Sequence, residues 1–305
     1  HHGTHLQLEE ADVGPWRITK VLDPHGDAGT VVKAVRSCGD SVQVRAVMLL
    51  PKPSLNGASR KLTDAEVRSL ERATMLGSLS ETSLPALESD YSVTADYKLG
   101  WRFMEHLGDE VATMEHAPAS TADDSVPKRC YRAVKYGLKL LAALRPLHER
   151  GLVHTALAPK HIVRVASGKT TEYKLLGLGN LHREREKSHV ALVPGVKEYA
   201  SPEVQILNNV IDRRADLYSV AMVLFASVAE GGKPPAVDLE DPIAPDLVNA
   251  AEGVDTHLSD VLLKALHPTH EQRFRDIDEM ERALHECATR QGDTWCVPHR
   301  QPSLP

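Results

Sequence analysis

Hydrophobic and polar positions change rhythm twice along the chain. Residues 5–15 are acidic and show no period. From Trp16 the pattern is short and β-like: "WRITKVL", "GTVVKAVRS" and "SVQVRAVMLL" predict three strands, with a Cys-Gly-Asp turn before the third. "PKPSLNGASRK" breaks that pattern. "LTDAEVRSLERATMLGSL" then predicts a helix, with Thr63 as N-cap and Glu66 three residues on, a pair that satisfies the first amides reciprocally. Strand-like runs follow at about 97–105 and 110–115. "APASTADDSVP" is turn-rich and low in apolar bulk, and reads as a linker.

After the linker the period becomes helical. "KRCYRAVKYGLKLLAALRPLHERG" ends on Gly151, a residue suited to the left-handed backbone that closes helices. "DRRADLYSVAMVLFASVAEGG" is apolar on nearly every side, which predicts a buried helix, and "LSDVLLKAL" and "DIDEMERALHECA" predict two more. Strands first and helices after give an α+β layout in two lobes. The boundaries are 1–15 for a tag remnant and N-terminal extension ("HHGTH" resembles the end of a polyhistidine tag), 16–116 for a β-rich N-lobe, 117–127 for the hinge or linker, 128–297 for a helical C-lobe and 298–305 for a tail.

Composition narrows the function classes. A net charge of -6 argues against a nucleic-acid surface, and no apolar run approaches the roughly 20 residues of a membrane helix. The four cysteines, Cys38, Cys130, Cys287 and Cys296, fit no zinc spacing. Cys287 and Cys296 are placed to close a short C-terminal loop by a disulfide, with Cys130 as a rival partner for either. His267 and His270 stand three apart, but Pro268 and Thr269 between them and the lack of a nearby cysteine make a solvated loop the better reading. No metal site is expected.

The order of several damaged motifs resembles a protein kinase domain from about Trp16 to about Cys287. "PHGDAGTV" stands where the glycine loop would cradle phosphates. It retains Gly26 and Gly29 but has Pro24 at the first glycine, and Asp27 adds a like charge. Met48 occupies the place of the strand lysine that would hold phosphates, so Glu66 or Glu71 on the following helix has no cation to meet. "ATMEHAPA" resembles the last strand and hinge, with Met114 as gatekeeper and Glu115 to Ala117 facing adenine. The catalytic loop reads "HTALAPKH": Ala156 replaces the base Asp, Ala158 the Lys, His161 the metal-binding Asn and Thr155 the Arg that clamps a phosphate. Gly177 replaces the second metal ligand, followed by Leu178.

The packing parts of that family persist. His154 and Leu178 suit one internal spine, and Val31, Ala46 and Val163 the other. Glu203 in "YASPEV", Asp216 at the buried helix and Arg273 in "HPTHEQRFR" match its structural anchors. The resemblance therefore implies a catalytically inactive pseudokinase, a scaffold or allosteric partner of other proteins, with no cofactor and with ATP and Mg not expected. The alternatives are a nucleotide-binding pseudokinase holding ATP without metal, and an enzyme that reuses His154, His161 or Lys160 for other chemistry. A finer resemblance is to the secreted rhoptry-type kinases and pseudokinases of Toxoplasma and its relatives, carried by "HTALAPKHIV", "PGVKEYASPEV", sparse aromatics and the C-terminal cysteines. It implies secretion to the parasitophorous vacuole or cyst wall. The exposed charge run at 182–188 offers an interface, though such runs are usually solvated faces.

Overall fold

Strict alternation builds the first sheet. Trp16 and Ile18 are buried while Arg17 and Thr19 are exposed, so β2 (Trp16–Asp23) turns one face to a core and one to water. The structure, a computed structural model, describes residues 12–13, 16–23, 30–39, 41–49, 87–93, 100–104, 125–167, 170–176, 181–187, 192, 195–206, 209–229, 232–235 and 254–295. β1 (Asp12–Val13) pairs with β2, and β3 (Thr30–Cys38) and β4 (Ser41–Leu49) continue the antiparallel meander. Cys38 pairs with Ser41, so the β3–β4 turn spans two residues; Gly39 supplies its left-handed backbone at φ 61°.

Two further strands, β5 (Leu87–Val93) and β6 (Gly100–Met104), complete a six-stranded sheet in the order β1-β2-β3-β4-β6-β5. β6 therefore lies between β4 and β5. The second strand-like run expected at about 110–115, and the helix expected after residue 61, fall outside the described residues. β5 was not anticipated: "LESDYSV" carries charge and serine where alternation of large residues would mark a strand.

The helical part begins with α1 (Val126–Glu149), two residues inside the expected linker, with Pro127 in its first turn where a missing N–H is harmless. Its C-terminus closes as anticipated. Gly151 takes φ 65° and donates its amide to the His148 carbonyl at 3.0 Å. β7 (Leu152–Val153) pairs with β10 (His182–Arg183), and β8 (Ile162–Ser167) forms a hairpin with β9 (Thr170–Leu175). A short α2 (Pro202–Gln205) precedes α3 (Arg214–Val228), whose residues Ala215 to Ala226 are all buried. α4 (Thr256–Ala265) is capped by the Asp255 carboxylate, which accepts from the His257 and Leu258 amides at 3.0 and 3.1 Å. α5 (Ile277–Trp295) buries Ile277, Met280, Leu284 and Cys287 along one stripe.

The chain divides into two units. One comprises His1–Ala112, Val163–His182 and Ala191–Val193; the other comprises Thr113–Ile162, Arg183–Val190 and Pro194–Pro305. The β8–β9 hairpin thus groups with the sheet and not with the helical lobe, which a contiguous boundary at 117–127 does not anticipate.

The stretch expected as a disulfide-closed loop is also different. α5 continues from Cys287 to Trp295, eight residues or about 12 Å of helical rise, whereas bridged Cα atoms lie within about 7 Å. Cys296 itself is outside the described residues. Cys130, the rival partner, is a buried free thiol, and burial pushes its pKa up.

α1, α3 and α5 meet at Gly137. A Cβ there would lie 2.7 Å from Leu224 Cδ1 and 3.0 Å from Leu284 Cδ1. Gly137→Val is expected to overpack this junction and destabilise the protein by about 1–3 kcal/mol. A thermal melt checks it: the variant's midpoint should fall by several degrees, and an unchanged midpoint contradicts the close approach.

Candidate active site

The site is organised by one carboxylate. Asp216, in the first turn of α3, is fully buried and must find donors inside the protein. It accepts from the His154 amide at 2.8 Å, from the Thr155 amide at 2.9 Å and from His148 Nε2 at 2.8 Å. One side chain therefore ties α3, the end of α1 and the first residues of the catalytic-type loop. Thr155 sits at φ 63°, a conformation disfavoured for a β-branched residue, and its bond to Asp216 holds it there.

The rest of the loop closes on itself. The Ala156 amide donates to His154 Nδ1 at 3.3 Å, and His161 Nδ1 lies 2.6 Å from the Ala156 carbonyl, so the proton on that contact belongs to His161. The His154 and His161 rings are 6.3 Å apart. A single 3₁₀ turn, Pro159–His161, is fixed by the His161 amide on the Ala158 carbonyl at 2.9 Å. Ala156, Leu157 and Ala158 are fully buried, and Val163 is buried on β8. At positions 156 and 158 the loop presents methyl groups and no proton acceptor.

The second anchor joins α2 to the approach of α5. Arg273 donates from Nη1 to Glu203 Oε1 at 2.6 Å and from Nη2 to Glu203 Oε2 at 3.0 Å. Its remaining donors reach the His267 and Pro268 carbonyls at 2.7 and 3.0 Å, and its guanidinium lies 4.7 Å from the Tyr218 ring centre. Both members of the pair are buried. This fork joins two of the structural anchors named from the sequence, Glu203 and Arg273. His267 and His270 are engaged separately: His267 Nδ1 accepts from the Thr269 amide at 3.1 Å, and His270 lies 2.9 Å from Glu271.

In the sheet, Met48 of β4 has Val31 and Arg102 as cross-strand partners, and Ala46 has Lys33 and Met104. The strand hydrogen-bonded to β4 is β6, which ends at Met104. Met114, Glu115 and Ala117 lie outside the described residues, as do Pro24, Gly26, Asp27, Gly29, Glu66, Glu71, Gly177 and Leu178.

Three participants were not found from sequence: His148, Glu184 and Arg213. Glu184 and Arg213 form a two-bond fork at 2.7 and 2.6 Å, so the charge run at 182–188 is partly paired and not simply solvated. No linear pattern links residues 29 or 68 positions apart.

Breaking the Glu203–Arg273 fork from one side leaves an uncompensated buried charge. Arg273→Met alone is expected to cost about 3–5 kcal/mol, and the Glu203→Leu/Arg273→Met double variant less than the two single losses together. Urea denaturation of the four proteins checks this; additive losses contradict it. The Tyr218 hydroxyl is pushed up to about 12, chiefly by burial, with Glu203 adding and Arg273 opposing. The unfolded chain loses this proton near pH 10 and the folded protein keeps it, so the contribution is whole below pH 10. It is lost between pH 10 and 12, to a total of about 3 kcal/mol. Urea midpoints should drop across that window, and Tyr218→Phe should remove its share of the drop.

No protein-family model matches the chain. Among curated proteins, it is 29% identical over 189 residues to serine/threonine-protein kinase PknB of Mycobacterium leprae, covering 56% of this chain and 29% of that protein. It is 27% identical over 182 residues to a probable serine/threonine-protein kinase of Clostridium perfringens, covering 55% and 26%. It is 30% identical over 160 residues to serine/threonine-protein kinase PksC of Streptomyces coelicolor, covering 49% and 28%. The chain thus spans under a third of the length of these relatives. Among solved structures, the kinase domain of Mycobacterium tuberculosis PknI superposes with a TM-score of 0.62 at 21% identity, over 91% of this chain and 98% of that one; a double mutant of it reaches 0.65 at 20%.

These comparisons correct several expectations. The relatives are named serine/threonine protein kinases, which overturns the reading as a non-enzymatic, inactive scaffold and the expectation that ATP is no partner. The relatives are bacterial serine/threonine kinases and not rhoptry-type kinases, which corrects that finer resemblance and leaves the secreted, vacuolar and cyst-wall assignments drawn from it without support. The chain has the α+β fold of a protein kinase domain.

Proposed function

We propose that the chain acts as a serine/threonine protein kinase domain, taking a nucleoside triphosphate as donor and a protein hydroxyl as acceptor. The observation that carries this reading is the match over about half the chain to relatives named serine/threonine protein kinases. The anchored loop supports it. Phosphoryl transfer depends chiefly on positioning and charge stabilisation, and the Asp216 and Glu203–Arg273 contacts keep a positioning frame.

The chemistry at the loop sets the rate. Ala156 offers no base, and general-base assistance is worth about 10²–10⁴ in rate, so transfer should be slower than in a kinase with a carboxylate there. The described donor set does not fit magnesium. His161 presents nitrogen where the family presents an amide oxygen, its Nδ1 is engaged with the Ala156 carbonyl, and no cluster of three or more metal-ligating side chains forms among the described residues.

The test is transfer of labelled γ-phosphate from ATP to a generic protein substrate, run with Mg²⁺, with Mn²⁺ and with chelator, beside the M. leprae PknB kinase domain. Serine or threonine labelling roughly 10²–10⁴-fold below that control is expected, and Ala156→Asp should raise it. Labelling no higher than a heat-denatured control under every condition overturns the reading.

A further inference from the structure

We propose that residues 184–187 are strapped to the entry of α3 by the protein's own charges and backbone, so that the segment following β10 takes its position without phosphorylation. This rests on the kinase reading only for the meaning of that segment, since kinases of this fold order it with a phosphate clamped by arginine.

Four contacts hold the strap to the entry of α3, and a fifth ties it to Gly151. The Glu184 carboxylate receives Arg213 Nε at 2.7 Å and Nη2 at 2.6 Å, a planar fork that fixes orientation as well as distance. The Arg185 amide donates to the Ile211 carbonyl at 2.7 Å, and the Ile211 amide returns to the Glu186 carbonyl at 2.9 Å. Lys187 and Val210 then form an antiparallel bridge. The Glu184 amide donates to the Gly151 carbonyl at 2.8 Å, which links the same residue to the turn that opens the catalytic-type loop.

The geometry is built for permanence. Arg185 sits at φ 69°, which a non-glycine residue rarely adopts, and the backbone bonds of Arg185 and Glu186 to Ile211 hold it there. The turn closes on itself too: the Glu186 amide reaches the Arg183 carbonyl at 3.1 Å, and the Arg183 amide reaches Glu186 Oε2 at 3.1 Å. The side chains of Glu184 and Arg213 keep only 25% and 34% of their exposure, so water competes with the fork less than on an open surface. The Arg213 guanidinium holds the Glu184 carboxyl below the usual carboxylate range, in keeping with a standing ion pair. Thr155 fits the same picture. It stands where the family's phosphate-clamping arginine would be, has no cation to offer, and spends its amide on Asp216.

Hydrogen–deuterium exchange of the whole chain, read by mass spectrometry before and after phosphatase treatment, tests the strap. The amides of Arg185 and Ile211 should be equally protected in both samples. Arg213→Gln and Glu184→Gln should each speed their exchange at least about tenfold while peptides from the middle of α3 stay protected, and the reversed pair Glu184→Arg/Arg213→Glu should restore protection. Protection that appears only in phosphorylated protein, or that survives both single substitutions, overturns the proposal. If a single variant unfolds globally, the phosphatase comparison and the reversed pair still decide it. The readout needs no phosphotransfer, so a chain without kinase activity would leave this result standing.

Discussion

A carboxylate with no access to water sets the terms for the helical unit. Asp216 requires partners wherever it is buried, and it takes two from main-chain amides and one from an imidazole. That requirement fixes where α1 must stop, how the chain must turn at Gly151 and why Thr155 accepts an unfavourable backbone. The bonds that shape the loop are thus largely independent of the side chains at 156 and 158. A loop can exchange those side chains for methyl groups and keep its course, because amides and carbonyls belong to every residue type.

A preserved frame with altered chemistry is why the loop residues, taken alone, read as those of an inactive domain. Treating each substituted position as a lost function assumes that catalysis is the sum of side-chain contributions. In phosphoryl transfer much of the effect lies in holding donor and acceptor in line, and losses within one catalytic unit do not add. The relatives align over about half the chain.

Legibility followed the range of the interactions. α3 could be read because apolar residues on every side leave burial as the only solution, and the end of α1 because Gly151 is a local signal. The Glu203–Arg273 fork spans 70 positions and is legible only through the order of the kinase-like motifs. Where neither local rule nor motif applied, the pattern failed. "LESDYSV" gained strand structure from β6 and not from its own alternation. Glu184 lay within a charge run, and its partner 29 positions on was invisible to a one-dimensional reading.

The division of the chain carries a topological consequence. It passes between the two units five times, and the sheet-bearing unit draws its β8–β9 hairpin from beyond residue 162. No single cut yields both units whole. During synthesis the first sheet emerges well before its hairpin, and closing that loop must await α1 and the turn at Gly151. Each unit is compact yet assembled from separate stretches of sequence, so neither can be excised as one continuous segment.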